Sequence, residues 1–238
     1  LARECAAGPD AWLARQLPAL VAQTERALGI SQDIQRVQLG SIFHPLYRLI
    51  RVTSHGLGKQ ADLLVSGAEL EIERSVASGL TDPLIHLVRN ALDHGIEAPS
   101  ARLASGKPAR GVVRIDAWQE NGQLVLAIAD DGAGIDRDQV RRTAIDRGLL
   151  ATDSPVEDSA LLALLFSPGF TTAARVTRLS GRGVGLDAVR TQIRALGGDV
   201  SVQSLPARGT RFELRLPLNA RPHTAYEASE SSRRHTHH

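Results

Sequence analysis

The sequence predicts an α+β domain, and three observations carry that prediction. Alternating apolar and polar residues mark adjacent strand pairs, 112–119 with 123–129 and 200–205 with 210–216. Between these pairs lie amphipathic helices, the clearest being 82–97, DPLIHLVRNALDHGIE. A hydrophobic content of 42% over 238 residues also suffices for one core of roughly 150 residues plus an appendage.

Taken in order, 10–28 is apolar at Trp12, Leu13, Leu17, Leu20, Val21 and Leu28, spaced as a helix that Pro18 kinks or starts. Gly29 ends it, and Ser31 is placed to cap a second, longer helix running toward Leu57. Two such helices bury little alone, so they are read as an antiparallel hairpin (1–60) that pairs with a second copy. A helical pair packed back on its own domain is the alternative. Residues 59–66 and 69–73 read as strands joined by a turn at Ser66-Gly67. Helix 82–97 has Asp82 as N-cap, Pro83 at the first position and Gly95 as its stop. Its Leu84, Leu87, Val88 and Ala91 share one face; His86, Asn90 and Asp93 line the other, with His94 at the edge. A core helix that keeps an imidazole, a carboxamide and a carboxylate in register is read as the wall of a ligand cavity.

Beyond it, 98–110 reads as a polar loop, and Asn121-Gly122 is a strong hairpin turn between the first strand pair. The second of those strands delivers Asp130. Helices are expected at 136–147, 159–166 and 185–196, with 167–182 as a mobile lid. A second unit, the α+β domain itself, is placed at 61–219, followed by a disordered tail at 220–238.

Charge excludes some functions. Lys and Arg total 28 against 26 Asp and Glu, and aromatics are 3%, so nothing argues for nucleic acid. The longest strongly apolar run is 161–166, far short of a membrane span, and the lone Cys5 fits a reducing, cytoplasmic setting. Starting at Leu1 and lacking methionine, the sequence reads as part of a longer polypeptide.

The polar helix is followed by Asp130-Asp131-Gly132-Ala133-Gly134, then Phe166-Ser167-Pro168-Gly169-Phe170, then Ser180-Gly181-Arg182-Gly183-Val184-Gly185-Leu186-Asp187, then Gly209-Thr210. Each alone is a weak signal. Together they resemble the asparagine, glycine and phenylalanine boxes of histidine kinases among the GHKL ATPases, and the wording DHGIE, PGF-T and SGRGVGLD is similar to CheA-type chemotaxis kinases. The resemblance implies a GHKL (Bergerat-type) α/β sandwich behind a dimerisation hairpin, with ATP and Mg²⁺ as ligands. It also implies a histidine phosphotransfer domain as phosphoryl acceptor, a response regulator downstream, and a homodimer. The family's phosphoacceptor and receptor-coupling segments are not in these 238 residues.

The chemistry follows residue by residue. Asp130 only accepts hydrogen bonds, which suits the exocyclic amine of adenine and rejects the carbonyl of guanine. Gly132 and Gly134 leave room for base and ribose. Asn90 would hold Mg²⁺ through its carboxamide oxygen, an ion that needs few protein ligands beside phosphates. His86, one turn earlier, is the candidate base; Asp93 and His94, on the same polar side, join the nucleotide set. Gly181, Gly183 and Gly185 let backbone N–H groups meet a triphosphate at a helix start, with Arg182 a possible phosphate contact. Phe166 and Phe170 would anchor the lid, and Thr210 would close the pocket. Lys107 is read as a solvated charge in preference to a phosphate contact. His44 is read as a structural or surface histidine.

Two other readings stay open. One is a non-catalytic ATP-binding dimerisation module; the other is a GHKL ATPase that hydrolyses rather than transfers.

Overall fold

A computed structural model describes residues 36–152, 154–170 and 185–218. The predicted helix 10–28, the centre of the expected lid with Gly181, Arg182 and Gly183, and the tail lie outside the described residues.

Five strands form one mixed sheet: β2 (Ala61–Ser66), β4 (Gly111–Glu120), β5 (Gln123–Asp130), β6 (Asp199–Leu205) and β7 (Gly209–Pro217), in the order β2-β4-β5-β7-β6. All neighbours are antiparallel except β2 with β4. Asn121 and Gly122 both take positive φ, which fits the tight β4–β5 turn. One sheet face is apolar in rows: Ile115 pairs with Ile128, Ile128 with Phe212 and Phe212 with Val202, all buried. The other face carries charged side chains such as Arg110, Asp62, Glu120 and Arg215 in exposed ion pairs. The α+β expectation is met, with helices layered on the apolar face.

Those helices are α1 (Gly40–Gly56), α2 (Arg74–Asn90), α3 (Pro99–Ala104), α4 (Arg137–Asp146), α5 (Asp158–Ala163) and α6 (Leu186–Ala195). Short strands β1 (Arg36–Gln38) and β3 (Glu71–Glu73) pair antiparallel as a separate ribbon.

Four expectations change. The helix read from Ser31 begins only at Gly40, because Arg36–Gln38 is extended and laddered to Glu71–Glu73. The chain turns between them by donating Leu39 N and Gly40 N to the carbonyls of Leu70 and Ala68. The boundary at residue 60 falls inside a packed unit: Phe43, Leu46 and Ile50 of α1 lie in the same core as Leu84 and Leu87. The expected strand 69–73 shortens to Glu71–Glu73 and pairs with β1 rather than β2. The polar loop 98–110 contains α3, with Pro99 in its first turn.

Helix α2 also starts eight residues before Asp82, so Pro83 sits inside it. Val76, Ala77 and Leu80 continue the buried stripe of Leu84, Leu87 and Val88, and this burial outweighs the hydrogen bond that proline removes. Gly79 brings α6 close: a Cβ there would meet Leu196 Cδ2 at 2.8 Å.

Candidate functional site

The site is built where α2 ends beside the ends of β5 and β7. Ala129 pairs with Arg211, which sets Asp130 next to Thr210, and Thr210 pairs with Ser204. An apolar sheet face therefore finishes in a polar row. Asp130 Oδ1 accepts from Gly132 N at 2.9 Å, and the Thr210 N–H also donates to this carboxylate. Burial pushes the Asp130 carboxyl up to about 6; the charges of Asp131 and Glu97 add to the rise, and the two N–H donors oppose it. A carboxylate held so, with acceptor capacity left over, is fitted to receive further donors. A cavity of about 510 Å³ opens on Asp130 and Thr210, bordered by Leu162, Val202, Ser204 and Arg137, within the range of small-molecule sites. A hollow of about 600 Å³ over Arg141, Pro155 and Asp158 is lined by none of the predicted site residues and holds no comparable buried carboxylate.

Backbone approach around Asp130 is close. A Cβ on Gly132 would lie 2.1 Å from Gly95 O, and one on Gly95 would lie 2.8 Å from Asp130 Oδ1. Gly95, read as a helix stop, is thus also a packing requirement. Gly134 takes φ +78°, where a Cβ would meet Leu205 O at 2.5 Å. The two motif glycines therefore face protein backbone here, a different reason for glycine from the room for base and ribose expected from sequence.

On the helix side, α2 runs into a single π turn over Ala91–Gly95, closed by Ile96 N donating to Ala91 O at 2.7 Å. Lys59 Nζ donates to Leu92 O and Asp93 O, satisfying carbonyls at this widened end. Burial lowers the Lys59 amine from its ordinary range, against the pull of Asp93 and Glu97. His86 and Asn90 are half-buried, while Asp93 and His94 are exposed. Burial, then the Arg89 guanidinium, lowers the His86 imidazole below its ordinary value; Asp187 and Asp93 pull it back. His86 is therefore neutral near pH 7, with a ring nitrogen free to take a proton.

Phe166 is buried, edge-on to Phe212 at 6.4 Å between ring centroids, with the Arg190 guanidinium 5.8 Å from its ring. Phe170 is buried too, with Arg147 at 5.3 Å. Gly185 caps α6, and one turn-forming carboxylate joins the two flanks of the expected lid: Asp187 Oδ2 accepts Gly169 N at 3.0 Å. Lys107 is neither solvated nor aimed at phosphate; it binds Glu97 and the carbonyls of Asp131 and Gly132.

The structure thus brings Asp130, Gly132, Gly134 and Thr210 together at one end, and places His86, Asn90, Asp93 and His94 along α2 and its π turn. Sequence reasoning missed Ser204, Lys59 and Arg102 as supports. Ser204 Oγ accepts from Ile135 N at 2.8 Å and bonds Gly209 O at 3.0 Å and Thr210 Oγ1 at 3.2 Å. A polar residue at an inward position of β6, after Val200 and Val202, was its only sequence signal.

Comparison with known proteins places this geometry. The family described as Histidine kinase-, DNA gyrase B-, and HSP90-like ATPase matches residues 79–220. Chemotaxis protein CheA of Treponema pallidum (strain Nichols) is 45% identical over 185 residues, covering 78% of this chain and 23% of that protein. CheA of Bacillus subtilis (strain 168) is 39% identical over 208 residues, covering 84% and 31%. CheA of Rhizobium meliloti (strain 1021) is 42% identical over 177 residues, covering 74% and 23%. The chain spans about a quarter to a third of the length of these relatives.

Proposed function

The chain belongs to the histidine kinase-, DNA gyrase B- and HSP90-like ATPase family, and from that premise we propose that it is the ATP-binding core of a CheA-like protein histidine kinase. It would move the γ-phosphate of ATP to a histidine on a separate phosphotransfer domain, feeding a response regulator in chemotaxis-type signalling in the cytoplasm. The observation that carries this reading is Asp130, a half-buried carboxylate with two backbone donors, standing at the end of an apolar sheet row and opening on a cavity.

In this reading Asp130 accepts a hydrogen bond from the exocyclic amine of adenine and repels the guanine carbonyl. Asn90 supplies a neutral oxygen for Mg²⁺. That ion takes most of its ligands from phosphate and water, so one protein oxygen would suffice. When bound, Mg²⁺ neutralises charge on the phosphates. His86, neutral and one turn before Asn90, orients the incoming imidazole and accepts its proton as the N–P bond forms and the γ-phosphorus separates from the ADP oxygen. Asp93 and His94 border the phosphates from the π turn. Gly181, Arg182, Gly183 and Gly185 border them from the segment before α6, and Phe166 and Phe170 anchor that segment. Thr210 closes the base end through its backbone N–H. A homodimer built on the N-terminal helical segment belongs to the same proposal, supported by the spacing of Trp12, Leu17, Leu20 and Leu28. Among the described residues no helix is long and apolar enough to cross a membrane.

The test is transfer of label from γ-labelled ATP with Mg²⁺ to a purified CheA-type phosphotransfer domain. Acid-labile label on the acceptor, lost in Asn90→Ala, is the expected result. ATP binding without label across several acceptors would replace this reading with the non-catalytic module, and acceptor-independent hydrolysis would replace it with an ATPase.

A further inference from the structure

Beside Asp130 lies a knot of four charged side chains that no step above uses: Glu97, Arg102, Lys107 and Asp131. Arg102 is 0% exposed. Its Nε donates to Pro108 O at 2.8 Å, Nη1 to Glu97 Oε2 at 3.0 Å and to Asp131 O at 3.2 Å, and Nη2 to Asp131 Oδ2 at 2.8 Å. Lys107 Nζ donates to Glu97 Oε1 at 2.7 Å, Asp131 O at 3.0 Å and Gly132 O at 2.7 Å. The second Asp131 oxygen, Oδ1, accepts Val112 N at 2.9 Å. Burying a guanidinium is unfavourable unless its donors are matched, and here they are matched to two carboxylates and two carbonyls.

The carbonyls they hold decide what the knot can do. Asp131 O, gripped by both cations, belongs to the same peptide group as Gly132 N, which donates to Asp130 Oδ1 at 2.9 Å. A peptide group is planar, so fixing its oxygen fixes the direction of its N–H. Two cations on the oxygen also polarise the group and strengthen its donor.

We propose that Arg102 and Lys107 are positioning residues for base recognition. They aim the Asp131–Gly132 peptide at Asp130, and they offset the negative charges of Glu97 and Asp131 beside it. The proposal rests on the ATP reading above and deepens it. The groups around Asp130 are Asp131, Glu97, Arg102 and Lys107 on its own side, Asp93 and His94 at the end of α2, the neutral Thr210 and Ser204 on the strands, and Arg137, Asp158, Arg208 and Arg211 around the cavity. Asp131 and Glu97 both push the Asp130 carboxyl upward, while the Gly132 N–H pulls it down. Removing either cation weakens the donor and leaves the two carboxylates less compensated. Asp130 then protonates at higher pH, and the acidic limb of adenine-nucleotide binding moves up with it.

The experiment titrates the full chain with a fluorescent ATP analogue from pH 5 to pH 9, for wild type, Arg102→Met, Arg102→Lys, Lys107→Met and Asp130→Asn. Lys107 lies at the rim of the knot, 16% exposed, so Lys107→Met keeps the test decisive if Arg102→Met does not fold. The expected result for folded Lys107→Met is an acidic midpoint raised by about half a pH unit, which weakens binding about twofold at pH 6 and by less than about 1.5-fold at pH 7. Arg102→Lys should fall between wild type and Arg102→Met. A merely structural role would lower thermal stability without moving the midpoint. Unchanged midpoints in folded variants, with binding still lost in Asp130→Asn, would overturn this proposal alone. Failure of the wild type to bind would overturn it together with the ATP reading.

Discussion

The two ends of the proposed nucleotide site are made by different means. At the base end, Asp130 is placed by strand register, fixed by backbone N–H groups and walled by glycines that pack backbone on backbone. At the phosphate end, His86, Asn90, Asp93 and His94 are side chains on one helix and its π turn, half-buried or exposed. The first end is a fixed, half-buried acceptor, suited to reading one hydrogen-bond pattern. The second is a row of wetter groups suited to charge neutralisation, where the reacting atoms must approach and leave. On the proposed reading, the recognising carboxylate is aimed by backbone groups whereas the reacting groups stand on one helix, so mutations at the two ends should separate binding from turnover.

The largest effect that would test this division is at Asp130. Its folded pKa, about 6, lies above the ordinary 3.8. The folded state thus holds the proton more tightly, and the ionised form destabilises the nucleotide-free protein. That penalty is absent below about pH 4, grows between pH 4 and 6 and is complete above 6. Asp130→Asn keeps the shape and removes the charge. It should weaken ATP binding at least about 100-fold while raising the stability of the free protein by about 1–3 kcal/mol at pH 7. Calorimetric binding and thermal melts check both signs. Lost affinity with lost stability would mean that the carboxylate is a structural acceptor, and the division between ends would fail.

The same division explains what could be read from the sequence. The phosphate end is local: four residues within one helical segment declare themselves by a period of 3.6 against an apolar face, and the structure keeps that face with Leu84, Leu87 and Val88 buried. The base end needs partners 74 to 80 positions apart. Asp130 stood out as a carboxylate after an apolar strand, but nothing local said that Thr210 and Ser204 would complete its row. The knot under it was less legible still, since Arg102 and Lys107 fall in a stretch that reads as a polar loop. A buried arginine looks like a solvated one until its carboxylates arrive from elsewhere. The misplaced helix starts have the same origin: Pro83 is a sound local start signal, overridden by burial of Val76, Ala77 and Leu80.

A purely kinetic effect, on turnover and not on binding, is expected at His86. His86→Ala should lower phosphotransfer by about 10²- to 10⁴-fold and leave ATP affinity within about threefold. In the wild type, the acidic limb of turnover should fall below 6.5, the ordinary value from which His86 is lowered. The sign for stability is that of a depressed imidazole: the folded form resists protonation, so stability is lost as pH falls below 6.5. A limb at or above 6.5, or an affinity loss matching the rate loss, would place His86 in binding and blur the two ends.

The smallest effect is the sharpest test of the base end. Thr210 offers Asp130 its backbone N–H, while its hydroxyl faces Ser204 Oγ at 3.2 Å. If Thr210 serves Asp130 only through its backbone N–H, Thr210→Val, which keeps the shape and the N–H, should alter ATP affinity by less than about threefold. It should cost about 0.5–1.5 kcal/mol of stability for the lost hydroxyl bond, because Ser204 keeps Gly209 O and Ile135 N as partners. Calorimetric affinity and a denaturant melt of the same sample separate the two quantities. A drop in affinity beyond about tenfold would put the hydroxyl in contact with nucleotide. The base end would then read through a second side chain besides Asp130, and the contrast between a backbone-aimed carboxylate and a row of helix side chains would weaken.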